Sequence, residues 1–425
     1  MEGCWCDRVP HSIWFDIGDG PRDIDAESAG LQLPHVFVCI HFGLNLIRIA
    51  FVIPTLDQSG AERQLALLAN GLPREQYEVN VIALNRGGHY ADVLQAQGIN
   101  VHVLGKRFRF DVLTWWRLRQ LLRDLKPHIV QSYIFAANSY VRLPGICPPH
   151  CRIVISERCV DSWKSSWQLG LDRRLAGRLD AMTANSESVA EFYRCEVGIP
   201  SDRLHVIPNG VPETSDCSAS RLKDELGLAE DCDVIGFVGR LAPQKNLRDL
   251  VWAFHMIKQA APRPVALVLI GAGPLRDGLA KFLTDLGTRD LVHFLGHRDD
   301  ATDLLRDFDV FCLPSAFEGM SNSLMEAMSR GVPSVVSDIA PNLELIRHGE
   351  NGLTFPVGEA PELAKAVLQL LNDSDLSQRL GCAAQRTITE HHSVQSLVQR
   401  HCELYETMLS GRDSQSDAEQ IKEKG

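Results

Sequence analysis

The sequence predicts an α/β fold: two Rossmann-like, doubly wound domains facing each other across a cleft. Short apolar runs alternate with amphipathic helical stretches in two separate series, 48–184 and 233–338. The chain of 425 residues is long enough for two domains of ordinary size. Charged and glycine-bearing segments fall between the apolar runs and the helices that follow them, where open α/β sheets bind ligands.

The first series opens with the apolar strand 48–54 (RIAFVIP). Gly60-Ala61-Glu62 then starts a helix whose stripe is Leu65, Leu68, Ala69 and Leu72. Strands are expected at 79–84, 101–104, 128–132, 153–156 and 181–184. Lys106-Arg107-Phe108-Arg109-Phe110 precedes a helix with Val112, Leu113, Trp116, Leu121 and Leu125 as its expected apolar face. Trp115, Arg117, Arg119 and Arg123 flank that face.

The second series starts with a strand at 234–238, and a helix carrying Leu247, Leu250, Val251 and Phe254 begins at Asn246 or Asp249. Between them, Gly239 to Asn246 places Arg240 and Lys245 on one strand-to-helix loop, a fork and a point charge that can clamp a diphosphate. The strand from Val265 runs into Gly271-Ala272-Gly273-Pro274, whose glycines would let a ligand approach the backbone. No dinucleotide fingerprint is completed, because Arg276 stands where G-x-G-x-x-G needs glycine. A strand, turn and short helix fill 292–308.

The most informative segment is 309–338. A strand at 309–314 ends in a loop, a helix opens near Ser323 with Leu324, Met325, Ala327 and Met328, and another strand covers 333–336. This places Glu318 and the amides of Ser321, Asn322 and Ser323 at the carboxyl end of a parallel sheet, where a helix N-terminus attracts phosphate. Glu326, one turn into the helix, reaches the same ligand. Two carboxylates flanking a phosphate site suit a molecule with hydroxyls on both sides of its phosphates, a nucleotide sugar.

With G-R-x-x-x-x-K at Gly239 to Lys245, this segment closely resembles the nucleotide-sugar site of retaining glycosyltransferases of family 4, the group 1 set with the GT-B fold. The resemblance implies that Glu318 meets the donor sugar and Glu326 the ribose, while Arg240 and Lys245 neutralise the leaving diphosphate. Gly60 matches the family's glycine loop beneath the diphosphate, with Ser59 in place of a second glycine. Gly239, Gly271 and Gly273 join the donor-binding set, as does Arg158 in Ser156-Glu157-Arg158. One departure is clear: Gln131 and Tyr133 stand where V-H-x-H histidines are usual. Both can still hydrogen-bond a sugar.

The implied organisation is an extension outside the match (1–45), an acceptor-side domain (46–207) completed by helix 394–410, a nucleotide-sugar domain (208–393) and a disordered tail (411–425). The linker is 203–211. The implied activity is hexosyl or N-acetylhexosaminyl transfer to a saccharide or lipid-linked acceptor in cell-surface polysaccharide or glycolipid synthesis. Two cations and a helix N-terminus can replace a metal ion, and no D-x-D lies at a strand end in the nucleotide domain, so no cofactor is expected. An epimerase on the same fold and a catalytically idle nucleotide-sugar-binding protein are the alternatives.

The formal net charge of −11 hides an asymmetry: +5 over 46–205, −5 before it and −11 after it. The basic, aromatic edge around Lys106, Arg107 and Arg109 suits anionic lipid as well as a solvated face. No nucleic-acid partner is expected. The apolar stretch 36–47 is too short to span a bilayer, and the N-terminus lacks signal-peptide order. The 12 cysteines form no disulfide framework, which suits a reducing cytosol. Cys147, Cys151 and neighbouring Cys159 lack the paired spacing of a structural zinc site. The expected location is cytoplasmic, with a peripheral position on the inner membrane face.

Overall fold

The computed structural model describes residues 46–108, 111–161, 164–213 and 222–422, with side chains as far as Ser410. The first sheet contains β1 (Ile47–Thr55), β2 (Tyr77–Arg86), β3 (Asn100–Val103), β4 (Ile129–Tyr133), β5 (Arg152–Glu157), β6 (Ala181–Ala184) and β7 (Leu204–Val206). The second contains β8 (Asp233–Val238), β9 (Val265–Ile270), β10 (Val292–Gly296), β11 (Val310–Leu313), β12 (Ser334–Ser337) and β13 (Leu353–Phe355). Their spatial orders are β3-β2-β1-β4-β5-β6-β7 and β10-β9-β8-β11-β12-β13. All the ladders are parallel.

These orders place the functional loops. In each sheet the chain winds outward over three strands, returns to the centre, and winds the other way. The reversal leaves a crevice between β1 and β4 in one sheet and between β8 and β11 in the other. Ligands of doubly wound sheets settle at such switch points. Central strands covered on both faces must be apolar throughout. Ile49 to Ile53 and the residues of β9 and β11 are accordingly buried without alternation.

On one face of the first sheet, helices Gly60–Gly71 and His89–Ala96 bury Leu65, Leu68 and Leu94. On the other, helices Val112–Leu125 and Ile134–Val141 bury Leu118, Leu122 and Val141. Helices Leu247–Ala260 and Ala360–Asn372 line the second core with Leu250, Phe254, Leu363 and Val367.

The chain crosses between the domains twice, and the crossings are bonded together. The amide of Val211 donates to the carbonyl of His392 at 2.8 Å, and Val211 bridges Ser393 in parallel. Helix Val394–Lys422 then returns to the first domain, where Leu397, Val398, Leu404 and Tyr405 join the core of Leu65, Leu68 and Tyr77. Its backbone is helical as far as Lys422, and so runs into the segment 411–425 expected as a tail. Residues 204–206 belong to the first sheet as β7, although the linker was expected to begin at 203. The expected extension, 1–45, lies outside the described residues. No helix of the described residues is long and apolar enough to cross a membrane.

Helix Val112–Leu125 faces differently from the sequence expectation. Thr114, Leu118 and Leu122 are buried, with Trp115, Leu121 and Leu125 packed beside them. Val112, Leu113 and Trp116 point outward at 79%, 53% and 56% exposure, next to Phe108 at 72%. A phase set by Leu118 and Leu122 rotates the first turn's large side chains off the core.

Candidate functional site

Loops leaving β8 and β11 meet at the second switch point. After β8, Gly239 to Asn246 forms a short loop, and Lys245 reaches back to donate to the carboxylate of Glu318. Gln244 braces the pair: its carbonyl accepts from the Ala316 amide, and its side-chain amide donates to the Phe317 carbonyl, both at 2.9 Å. Arg240 on the same loop is exposed; its carbonyl accepts from the Ala242 amide at 2.9 Å, and its guanidinium has no hydrogen bond or ion pair among the described residues. It therefore stands ready for an external anion.

Helix Asn322–Ser329 starts at this crevice. The hydroxyl of Ser321 caps it, accepting from the Leu324 amide at 3.4 Å. That leaves the amides of Asn322 and Ser323 at the N-terminus as open donors, with the helix dipole behind them. Glu326, in the second turn, is only 5% exposed. Thr302 donates to one of its oxygens at 3.3 Å, and Arg63 of the first domain pairs with the other. Burial raises the Glu326 carboxyl, opposed by Arg63.

Gly271 and Gly273 pack against the loop that follows β8. A Cβ on Gly271, whose φ is +136°, would lie 1.9 Å from the Gly239 carbonyl oxygen. One on Gly273 would lie 2.3 Å from that of Leu241. Their bare backbone therefore admits the close approach of the Gly239 to Asn246 loop. The amide of Leu241 donates to Ala272, and the Leu241 carbonyl accepts from Leu275, both at 3.0 Å. Glycine signals close approach, but sequence does not say to what.

Several of the residues expected to bind the donor also take part in contacts between the domains. Asn322 donates from its side chain to the Gly60 carbonyl at 3.2 Å and accepts from Asn209 at 2.7 Å. Gln64 exchanges hydrogen bonds with the backbone of Gly210 at 2.8 and 2.9 Å. Arg158 donates to Asn209 and lies over the Tyr133 ring, 5.9 Å from its centroid. Glu62 closes the Gly60 loop by accepting from Thr55 at 3.1 Å and from Ser59. Gly60 and Arg158 thus border the cleft, while the side chain of Asn322 is engaged in the domain contact.

Gln131 and Tyr133 do not face the cleft. Both are buried in a network beneath it: the Gln131 amide donates to Tyr133 at 3.1 Å and Ser156 at 2.8 Å, and its carbonyl accepts from Tyr405. His401 adjoins them, and burial lowers its ring to about 4, keeping it neutral. Gln131, able in principle to bond a sugar, here spends its carbonyl on Tyr405 of the returning helix and its amide on Tyr133 and Ser156. Ile134, next in the chain, has φ +58°, a costly conformation for a β-branched residue, at the switch point itself.

A buried ion cluster under the β5 loop escaped the sequence reading, since its members are scattered from 142 to 193. Lys164 bonds Asp161 and Asp172, each at 3.0 Å, and lies 3.6 Å from Glu157. Arg142 pairs with Asp172, and Tyr193 donates to Asp161 at 2.7 Å. Burial opposes the Lys164 charge, but the three carboxylates together hold its ionisation above the ordinary range. Burial pushes Glu157 up to about 7 against the pull of Lys164. Cys147 and Cys151 are free thiols, and among the described residues no group of three or more His, Cys, Asp and Glu is gathered as a metal site.

Two parallel sheets, with a loop carrying two cations, a helix N-terminus and two carboxylates at one switch point, define a two-domain fold of GT-B type. The sequence pattern of Glycosyltransferase Family 4 matches residues 58–214, and that of Glycosyl transferases group 1 matches 218–387. The UDP-Gal:α-D-GlcNAc-diphosphoundecaprenol α-1,3-galactosyltransferase of Escherichia coli is 32% identical over 357 residues, 78% of this chain and 89% of that protein. The chain belongs to the group 1 glycosyltransferase family. N-acetyl-α-D-glucosaminyl L-malate synthase of Bacillus anthracis is 29% identical over 54% of this chain, which spans 60% of that relative's length. The chain spans 64% of LpsE, a lipopolysaccharide core biosynthesis glycosyltransferase of Rhizobium meliloti, at 30% identity over 53% of this chain. The solved structure of Anabaena HepE in complex with UDP-glucose shares the fold, with TM-score 0.75 and 24% identity over 85% of this chain and 99% of that one.

Proposed function

We propose that the protein transfers a hexosyl or N-acetylhexosaminyl group, with retention, from a nucleoside-diphosphate sugar to a saccharide or lipid-linked hydroxyl in cell-surface polysaccharide or glycolipid synthesis. The convergence of Arg240, Lys245 and the open amides of Asn322 and Ser323 on one switch point carries this reading. Breaking the anomeric C–O bond puts negative charge on the departing diphosphate. Fixed donors aimed at that charge are worth more in a partly desolvated crevice than in water. Glu318, held by Lys245, orients the sugar, and Glu326 accepts from ribose hydroxyls. These positive groups serve where a divalent ion otherwise would, so no resident metal is invoked.

Acceptor use is favoured over epimerisation by the outward patch of Phe108, Val112, Leu113 and Trp116, with Lys106 and Arg107 beside it. The patch is fastened to the helix that leaves the first switch point: the Asp111 amide donates at 3.1 Å to the hydroxyl of Tyr140, near that helix's C-terminal end. A surface of apolar side chains ringed by cations suits the inner face of an anionic membrane, where a lipid-linked acceptor resides. Arg109, expected in the same patch, lies outside the described residues.

The test is incubation with a panel of nucleotide sugars, with and without membranes, followed by assay of free nucleoside diphosphate and of the product's anomeric configuration. UDP sugars are the first to try, since UDP-galactose appears in the name of the Escherichia coli relative. An epimerised nucleotide sugar would establish the second reading. Binding without release of diphosphate from any donor would leave an idle binding protein.

A further inference from the structure

Arg63 lies one turn into helix Gly60–Gly71 and crosses the cleft to the carboxylate of Glu326 on the other domain. The two ends differ in environment: the Arg63 side chain is 27% exposed and that of Glu326 6%. Burial alone raises the Glu326 carboxyl, and Arg63 is the nearest charge opposing that shift. Around this pair the domains also meet through Asn322 to Gly60, Gln64 to Gly210, and Gln58 to Asp299 at 2.8 Å. Glu344 adds another clasp, accepting from the amides of Glu187 and Ser188 at 2.8 and 2.9 Å. Arg63 is thus the member of the interdomain contact that uses the proposed ribose-binding carboxylate.

We infer that Arg63 competes with a nucleotide's ribose hydroxyls for Glu326, so that donor binding proceeds by exchange of this ion pair. This rests on the reading of Glu326 as the ribose acceptor. One carboxylate oxygen is held by Thr302, and the other cannot serve the guanidinium and a ribose diol at full strength together. The exchange has a definite sign. A ligand competing with an internal contact binds with an affinity reduced by the fraction of protein in which the contact is open. Arg63 therefore weakens nucleotide binding while shielding a buried carboxylate that would otherwise be unpaired. A cation placed to hold phosphate has the opposite sign, and an arginine near a nucleotide site is ordinarily read that way.

The test is titration of the full chain with UDP, GDP and ADP by calorimetry, comparing the parent with Arg63→Gln, Glu326→Gln and the double variant. For the nucleotide the parent binds, Arg63→Gln is expected to tighten binding by about 5- to 10-fold, the scale of removing a half-screened ion pair. In the Glu326→Gln background the same change is expected to have no effect, because Arg63 acts through that carboxylate. Weaker binding in Arg63→Gln that persists in the double variant would overturn the proposal and make Arg63 a phosphate ligand. Unchanged affinity in a well-folded Arg63→Gln variant would overturn it too. The ribose reading is tested separately with the 2′,3′-dideoxy form of the bound nucleotide. If the parent binds both forms equally, Glu326 does not hold the ribose, and the exchange falls with that reading. If the parent distinguishes them and Arg63→Gln changes nothing, only the exchange falls.

Discussion

Lys245 donates to the carboxylate of Glu318, and so joins the loops that leave two neighbouring strands, β8 and β11. Cation and anion hold each other in place before any substrate arrives. On the proposed reading, a diphosphate between Lys245 and Arg240 would meet one cation already positioned and one still free. Replacing Lys245 with Ala removes a charge-assisted contact and releases Glu318. Nucleoside-diphosphate affinity should fall by about 1.5–3 kcal/mol, measured by calorimetry. Unchanged affinity and turnover would return Lys245 to a surface cation.

Glu318 and Glu326 should separate in kinetics. On the proposed roles, Glu326→Ala would remove a contact to ribose, which does not react, so KM for the donor should rise while kcat is largely kept. Glu318→Ala removes a contact at the reacting sugar, where interactions strengthen in the transition state, so kcat falls by roughly 100-fold. Equal loss in both parameters for both variants would mean that the carboxylates do not divide the donor in this way.

Gly271→Ala should damage the phosphate loop without touching a ligand. The added methyl meets the Gly239 carbonyl at 1.9 Å and sits on a residue with φ +136°. A cost of about 1–3 kcal/mol is expected for strain of this kind. Denaturant unfolding should show it, along with weaker nucleotide binding. Unchanged stability would mean that the loop gives way freely.

Glu157 makes stability depend on pH. Its folded value, about 7, lies above its ordinary 4.5, so between these values the folded protein holds more protons than the unfolded chain. The associated stability is present below 4.5 and is lost as pH rises through about 7. Glu157→Gln should flatten the fall in unfolding free energy across this window, by on the order of 1–3 kcal/mol. An identical slope in parent and variant would assign the proton elsewhere in the cluster.

Phe108→Ser with Trp116→Ser should lower binding to vesicles containing anionic lipid while leaving donor hydrolysis in solution intact. Both side chains are more than half exposed, so the core loses little. Neutralising Lys106 and Arg107 should add a loss that is largest at low salt, since exposed charges are screened over about 10 Å at 0.1 M. If flotation shows vesicle binding equal to the parent's, the acceptor is to be sought among soluble saccharides.

The central strands were legible because parallel strands covered on both faces must be apolar throughout. The run at 181–184 matches β6 residue for residue, and 153–156 falls within β5. Short edge strands such as β13 carry little such signal, and β7 was read as linker. Glu318, Lys245 and Arg240 could be placed from spacing because they sit on tight loops of neighbouring strands. Arg63 could not, since its partner lies 263 positions away on the other domain. The burial of Gln131 was hidden for a related reason: the helix that covers it is 270 residues downstream at His401. The outward turn of Val112 and Trp116 was missed because large apolar residues occur on both sides of that helix.

The helix that returns from the second domain also sets a timetable for synthesis. Leu65, Leu68 and Tyr77 emerge early but find their cover, Leu397, Val398 and Tyr405, only after the whole second domain has been made. At 5–20 residues per second, the stretch from Ile207 to Val394 takes roughly 10–40 s to translate. For that interval the nascent first domain carries a bare apolar groove, a natural landing place for a chaperone. A gene cut after residue 207 would leave the groove bare permanently, so the acceptor side should be produced with the downstream helix supplied, in cis or as a separate peptide.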